Sequence, residues 1–175
     1  CRSPLMRATI DGVSFAGSAR GVSTGNTPGD TTEISACEDA PSSRFVCVSV
    51  RIIGPVRENG SYPLAYYKPA LGAYLLPADK QPKAPPGYGL FTTGRWITAG
   101  GDVKSSTRDV NESCETDAQH TGTLTVTRFT GPRSVLSGAF SFTAKCSGSA
   151  QPSRVVKGTF ENVKLESHMT SAILR

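Results

Sequence analysis

Between His120 and Leu165 apolar and polar side chains take turns, and a two-residue period is the repeat of a β-strand. Gly122–Phe129 sets Leu124 and Val126 against Thr123, Thr125 and Thr127. Val135–Cys146 sets Leu136, Phe140, Phe142 and Ala144 against Ser141, Thr143 and Lys145, with Ala139 as the exception. Val155–Leu165 sets Val156 and Phe160 against Lys157, Thr159 and Glu161, with Val155 out of step. After Glu161-Asn162 the apolar parity moves to Val163 and Leu165, which is what a one-residue bulge does. Two breakers separate the three runs: Thr130-Gly131-Pro132-Arg133 and the polar stretch Ser147–Ser153. No 3.6-residue period competes. An antiparallel meander with one face on a core is predicted.

The rest of the chain reads the same way. Met6, Ala8 and Ile10 share one side of a short strand, and Asp11-Gly12 is a two-residue hairpin signal that returns it through Val13, Phe15 and Gly17. Ser18–Thr32 reads as part strand and part loop. Glu33–Cys37 and Arg44–Ile53 form a second hairpin, with Val46, Val48, Val50 and Ile52 as an inward row. Gly54–Pro86 holds seven of the 12 prolines and four of the five tyrosines, so strands there are short or at an edge, with Leu64–Tyr67 and Ala73–Leu76 the expected pieces. Gly87–Thr98 resumes strand character, and the polar run Ala99–Gln119 is expected as a surface loop pinned by Cys114. The sum is one all-β domain over residues 5–175, a single-domain antiparallel β-sandwich or flattened β-barrel of about eight to ten short strands, with residues 1–4 as a tether.

The cysteines are Cys1, Cys37, Cys47, Cys114 and Cys146. An odd count in an exported chain asks for an explanation, and a lipid on the leading Cys1 supplies one, leaving four to pair; the alternative is a free thiol. Four cysteines allow three pairings. Cys37 and Cys47 flank the turn-rich centre Ala40–Ser43. A hairpin centred near Pro132 pairs residues whose numbers sum to about 263, which brings Cys146 within slippage of Cys114. Cys37–Cys47 and Cys114–Cys146 are therefore predicted, in an oxidising compartment.

The residues of the C-terminal meander also carry a resemblance. Gly122-Thr-Leu-Thr-Val-Thr, Leu136-Ser-Gly-Ala-Phe-Ser-Phe-Thr-Ala and Lys157-Gly-Thr-Phe-Glu-Asn-Val resemble the C-terminal signature of a family of small bacterial envelope lipoproteins without an assigned function. Met6–Phe15 is similar to its opening hairpin. The resemblance implies a fold and a cell-envelope location facing the periplasm, and it brings no catalytic motif.

Chemistry is sparse. His120 and His168 are the only histidines, and neither stands by a nucleophile in the sequence. Asp30, Glu33, Glu38 and Asp39 gather loosely without the alternating spacing of a calcium loop, and read as an acidic loop. No catalytic set, no metal site and no cofactor beyond a covalent acyl or diacylglyceryl lipid on Cys1 is expected. The net charge of +5 comes from singly scattered Lys and Arg, which argues against nucleic acid as partner. The aromatic residues Tyr62, Tyr66, Tyr67, Tyr74, Tyr88 and Trp96 are the candidate interaction surface, each combining rigid contact area with a polar tip. The function expected is a non-catalytic membrane-anchored lipoprotein, an accessory subunit docked on an integral-membrane protein complex, with membrane lipid as the partner of Cys1. A barrel holding a small hydrophobic ligand is the alternative.

Overall fold

The computed structural model describes residues 3–27, 30–40, 44–65, 87–98, 106–131 and 135–167. They form ten strands: β1 Leu5–Ile10, β2 Val13–Ser23, β3 Thr31–Ala40, β4 Arg44–Ile53, β5 Ser61–Leu64, β6 Gly87–Thr98, β7 Ser106–Glu115, β8 Gly122–Phe129, β9 Val135–Ser147 and β10 Ser153–Ser167. The strands join in one sheet that closes on itself. Round the ring β10 pairs with β1, β1 with β2, and the ladder continues through β3, β4, β6, β7 and β9 back to β10. All these pairs are antiparallel. A short parallel contact, Leu165–Ser167 with Gly21–Ser23, closes β10 on β2 where β1 has not yet begun.

The meander folds as its alternation predicts. Leu124, Val126, Leu136 and Val156 are fully buried and Phe140, Phe142 and Phe160 nearly so, while Thr123, Thr125 and Thr127 face solvent. The bulge falls where the parity shifts. Phe160 stands opposite Gly138 and Val163 opposite Leu136, so β10 carries one residue more than β9. Asn162 takes a left-handed φ of 54° there, and its N–H donates to Ser137 Oγ at 3.1 Å. Val163 and Leu165 then return to the interior.

A reciprocal pattern locks β9 to β10. Gly138-Ala-Phe140 runs against Gly158-Thr-Phe160, and the register sets Phe140 opposite Gly158 and Phe160 opposite Gly138. Each ring lies over the glycine across from it: a Cβ on Gly138 would meet Phe160 Cζ at 2.6 Å, and one on Gly158 would meet Phe140 Cζ at 2.8 Å. Phe142 stands opposite Gly122 of β8, but its ring lies over Gly89 of β6, where a Cβ would meet Phe142 Cδ1 at 2.6 Å. The Phe140 and Phe160 centroids are 6.4 Å apart and those of Phe140 and Phe142 6.1 Å, so the rings form one row through the core.

The β1–β2 hairpin turns on Asp11 (φ 50°) and Gly12 (φ 85°), the two positive angles of a turn whose twist matches its strands. In β4 the inward row holds: Val48, Val50 and Ile52 are fully buried and Val46 packs against them. The opposite face of β4 is covered as well, since Phe45, Cys47 and Ser49 are all buried.

Three expectations are corrected. The polar run Ala99–Gln119 contains a strand of the barrel, β7, and Cys114 within it is fully buried. Its alternation is hidden because one inward position, Glu112, meets a buried-side arginine instead of the apolar core. Next, Cys114 is not on β8, the strand that precedes β9 and pairs with it. Gly122 stands opposite Phe142, then Thr116–Thr121 breaks the line, and β7 takes over the edge of β9 with Cys114 opposite Cys146. Last, Glu33 and Glu38 lie along β3, not in an acidic loop. Of the expected pieces between Gly54 and Pro86, the strand β5 ends at Leu64, and residues 66–86 lie outside the described residues.

Candidate functional site

Of the candidate aromatic surface, Tyr62 is the member whose side chain falls among the described residues. Tyr62 lies on β5 opposite the buried Leu124 and packs against the core. Its hydroxyl is engaged by its own loop: it accepts from the Arg57 N–H at 2.7 Å and donates to the Pro55 carbonyl at 3.1 Å. Tyr88 and Trp96 share β6, opposite Arg51 and Arg108, and eight residues of strand separate them by about 26 Å. Tyr66, Tyr67 and Tyr74 lie outside the described residues, as do Cys1 and His168.

The four other cysteines form two cross-strand disulfides. Cys37 and Cys47 stand directly opposite on β3 and β4, with an S–S distance of 2.04 Å. Cys114 and Cys146 stand opposite on β7 and β9, at 2.00 Å. These are the pairs expected from the sequence. Two disulfides mark an oxidising compartment. Glu112 and the sulfurs of Cys114 and Cys146 lie close enough to one another to be considered for a metal. Thiolates are the ligands metals take, and here the sulfurs are joined to each other.

Sequence reasoning missed Arg154. It sits on the same parity of β10 as the buried Val156, at the rim of the barrel, and a charge there needs partners. Its Nε donates to Glu112 Oε1 at 2.8 Å, and its Nη1 donates to Asp11 Oδ2 at 2.9 Å. The two carboxylates stabilise the charged guanidinium and raise its pKa, Glu112 contributing most. Asp11 also accepts from the Val155 N–H at 2.8 Å. Three elements far apart in sequence, the β1–β2 turn, β7 and β10, are tied together by this one side chain. A signal existed: Arg154 breaks the apolar parity of its strand two residues before Val156.

The outer face of β2, β1, β10, β9 and β8 is of another kind. Thr9 stands opposite Lys157, Lys157 opposite Ser141, and Ser141 opposite Thr123; one row over, Arg7, Thr159, Ala139 and Thr125 follow in the same way. All but Ala139 are exposed. Small side chains on β9 leave a shallow depression of about 500 Å³ between Thr9 and Lys157 on one side and Thr123 and Thr125 on the other. Near β8, His120 Nδ1 meets Asp117 Oδ1 at 2.8 Å.

Comparison with protein-family models, characterised proteins and solved structures finds no match for this chain. Among the described residues no helix is long and apolar enough to cross a membrane.

Proposed function

We propose that this chain is a non-catalytic lipoprotein of a bacterial envelope, held to the membrane through an acyl or diacylglyceryl group on Cys1 and docked as an accessory subunit on an integral-membrane protein complex at the periplasmic surface. The observation that carries the reading is how the first strand is held. β1 pairs on both edges from Leu5 onward, with β2 on one side and β10 on the other. The Pro4 carbonyl already accepts from the Ala19 N–H at 3.3 Å. Cys1 is three residues further out, so a lipid there would lie within about 11 Å of a rigid barrel. A tether this short presses the barrel against its membrane and limits its partners to what lies at that surface. The two disulfides agree with an exported location, and the resemblance of the C-terminal meander to envelope lipoproteins points the same way.

One acyl chain alone holds a protein weakly, so further acyl chains or contacts made by the folded domain would complete the attachment. The ligand-holding alternative needs interior space, and the stacked rings of Phe140, Phe142 and Phe160 occupy that part of the barrel. Intact mass of the native protein tests the anchor: the expected mass exceeds that of the bare chain by an acyl or diacylglyceryl group, with both disulfides formed. Mild detergent extraction tests the docking, with co-elution alongside a membrane complex expected. A bare mass with a free thiol at Cys1 would refute the anchor, and elution alone in every detergent would refute the subunit role.

A further inference from the structure

Formal charge is unevenly divided round the barrel. The five contiguous strands β2, β1, β10, β9 and β8 contain seven Arg and Lys against two Glu. Strands β3, β4, β6 and β7 contain four Arg against six Asp and Glu. Of the seven cations Arg154 is engaged at the rim. The other six, Arg7, Arg20, Arg128, Lys145, Lys157 and Lys164, are all exposed, and none has a carboxylate within ion-pair distance among the described residues. Glu161 and Glu166 lie on the same strands and reach none of the six. Lys145 has Glu115 across the β7–β9 ladder, and the remaining excess of exposed cations gives this half a positive field that attracts anionic groups.

β1 lies within this basic half, between β2 and β10, so the tether that leads to Cys1 leaves from it. Arg7 stands opposite Thr159 and Lys157 opposite Thr9, which sets two cations and two hydroxyl donors in a square across β1 and β10. Arginine forks and hydroxyls are the donors that phosphate oxygens accept from.

We infer that this half of the barrel is a second membrane contact, with its outer face resting on the phosphate headgroups of an anionic bilayer beside the lipid on Cys1. The choice of a bilayer rests on the lipoprotein reading, because it is the anchor that would bring this face to a membrane. The two attachments complement one another: a single chain binds marginally, and each basic side chain near an anionic surface adds a small increment.

The test separates the two. The full chain with Cys1→Ser, which carries no lipid, is mixed with sucrose-loaded vesicles of phosphatidylcholine alone or with about one third phosphatidylglycerol, and the bound fraction is measured after sedimentation over a series of salt concentrations. Binding only to the phosphatidylglycerol vesicles, falling as salt rises, is expected. Arg7→Gln with Lys157→Gln should weaken it about 30-fold, and Arg57→Gln, outside the face, should leave it within about twofold. Equal binding to both vesicles, or equal effects of the two sets of substitutions, would overturn the inference. Retention by neither vesicle would also overturn it and give the face to a protein partner. Native protein that is acylated while its Cys1→Ser form ignores phosphatidylglycerol keeps the anchor and removes the face. A bare native mass with vesicle binding intact removes the anchor and supports the face.

Discussion

Gly138→Ala is the most informative single change for this fold. The added Cβ would lie 2.6 Å from Phe160 Cζ and closer still to the Thr125 carbonyl oxygen of β8. Phe160 is 1 % exposed and stacked on Phe140, so its ring has nowhere to swing. The carbonyl is part of the β8–β9 ladder, so moving it means spreading paired strands. Overpacking of this kind costs about 1–3 kcal/mol, and the stiffer unfolded chain of alanine offsets about 0.5 kcal/mol of that. A net loss of about 2 kcal/mol is expected, a fall in Tm of roughly 4–8 °C for a chain of this length. Urea denaturation should show a lower midpoint with the slope unchanged. The mechanism is tested by a double-mutant cycle. Phe160→Leu removes the ring tip that the new methyl meets, so the double variant should lose less than the two single losses added, by about 0.5 kcal/mol or more. The same cycle with Phe142→Leu, whose ring lies over Gly89 instead, should be additive within that margin. A neutral Gly138→Ala, or equal coupling in both cycles, would show that the Gly-x-Phe lock does not govern the β9–β10 seam.

Arg154→Ala should destabilise by about 2 kcal/mol, because it leaves the mostly buried Glu112 carboxylate without its donor; Arg51→Ala, at the half-exposed pair with Glu33, should cost under about 1 kcal/mol. Similar thermal shifts for the two would contradict the rim assignment. Asp11→Asn gives a pH test. The Val155 N–H, and to a smaller degree Arg154, hold the Asp11 carboxyl below the ordinary aspartate range against the opposing effect of burial. With the folded value below the unfolded one, its contribution is present above the unfolded pKa and lost as pH falls through the folded one. The stability gap between wild type and Asp11→Asn, followed by denaturation across pH, should be steady from pH 7 to about 5 and narrow below about pH 4; a gap that widens in acid would count against it. For the disulfides, loop entropy gives about 2.7 kcal/mol for the sequence separation of 10 and about 3.7 kcal/mol for that of 32. Loss of Cys114–Cys146 by paired serine substitution should therefore lower Tm more than loss of Cys37–Cys47, and the reverse order would refute the loop argument.

Much of this protein was legible before any coordinates. The two-residue period of Gly122–Leu165, the bulge at Glu161-Asn162, the Asp11-Gly12 turn and the strand Gly87–Thr98 all follow from local rules, since a strand that buries one face must alternate and a tight turn must accept positive φ. The partners of the four paired cysteines were also legible, although Cys114 was reached through the wrong strand. What local pattern could not supply was closure. β7 has a polar residue, Glu112, at an inward position, and the reason is Arg154, some forty residues later in the chain. The same holds for the basic half of the barrel. Arg7, Arg20, Arg128, Lys145, Lys157 and Lys164 are scattered singly along the sequence, and only the strand order that sets β1 between β2 and β10 gathers them on one face. Alternation is decided by neighbours in the chain, whereas charge fields and rim contacts are decided by which strands lie side by side, and that order is fixed only when the sheet closes.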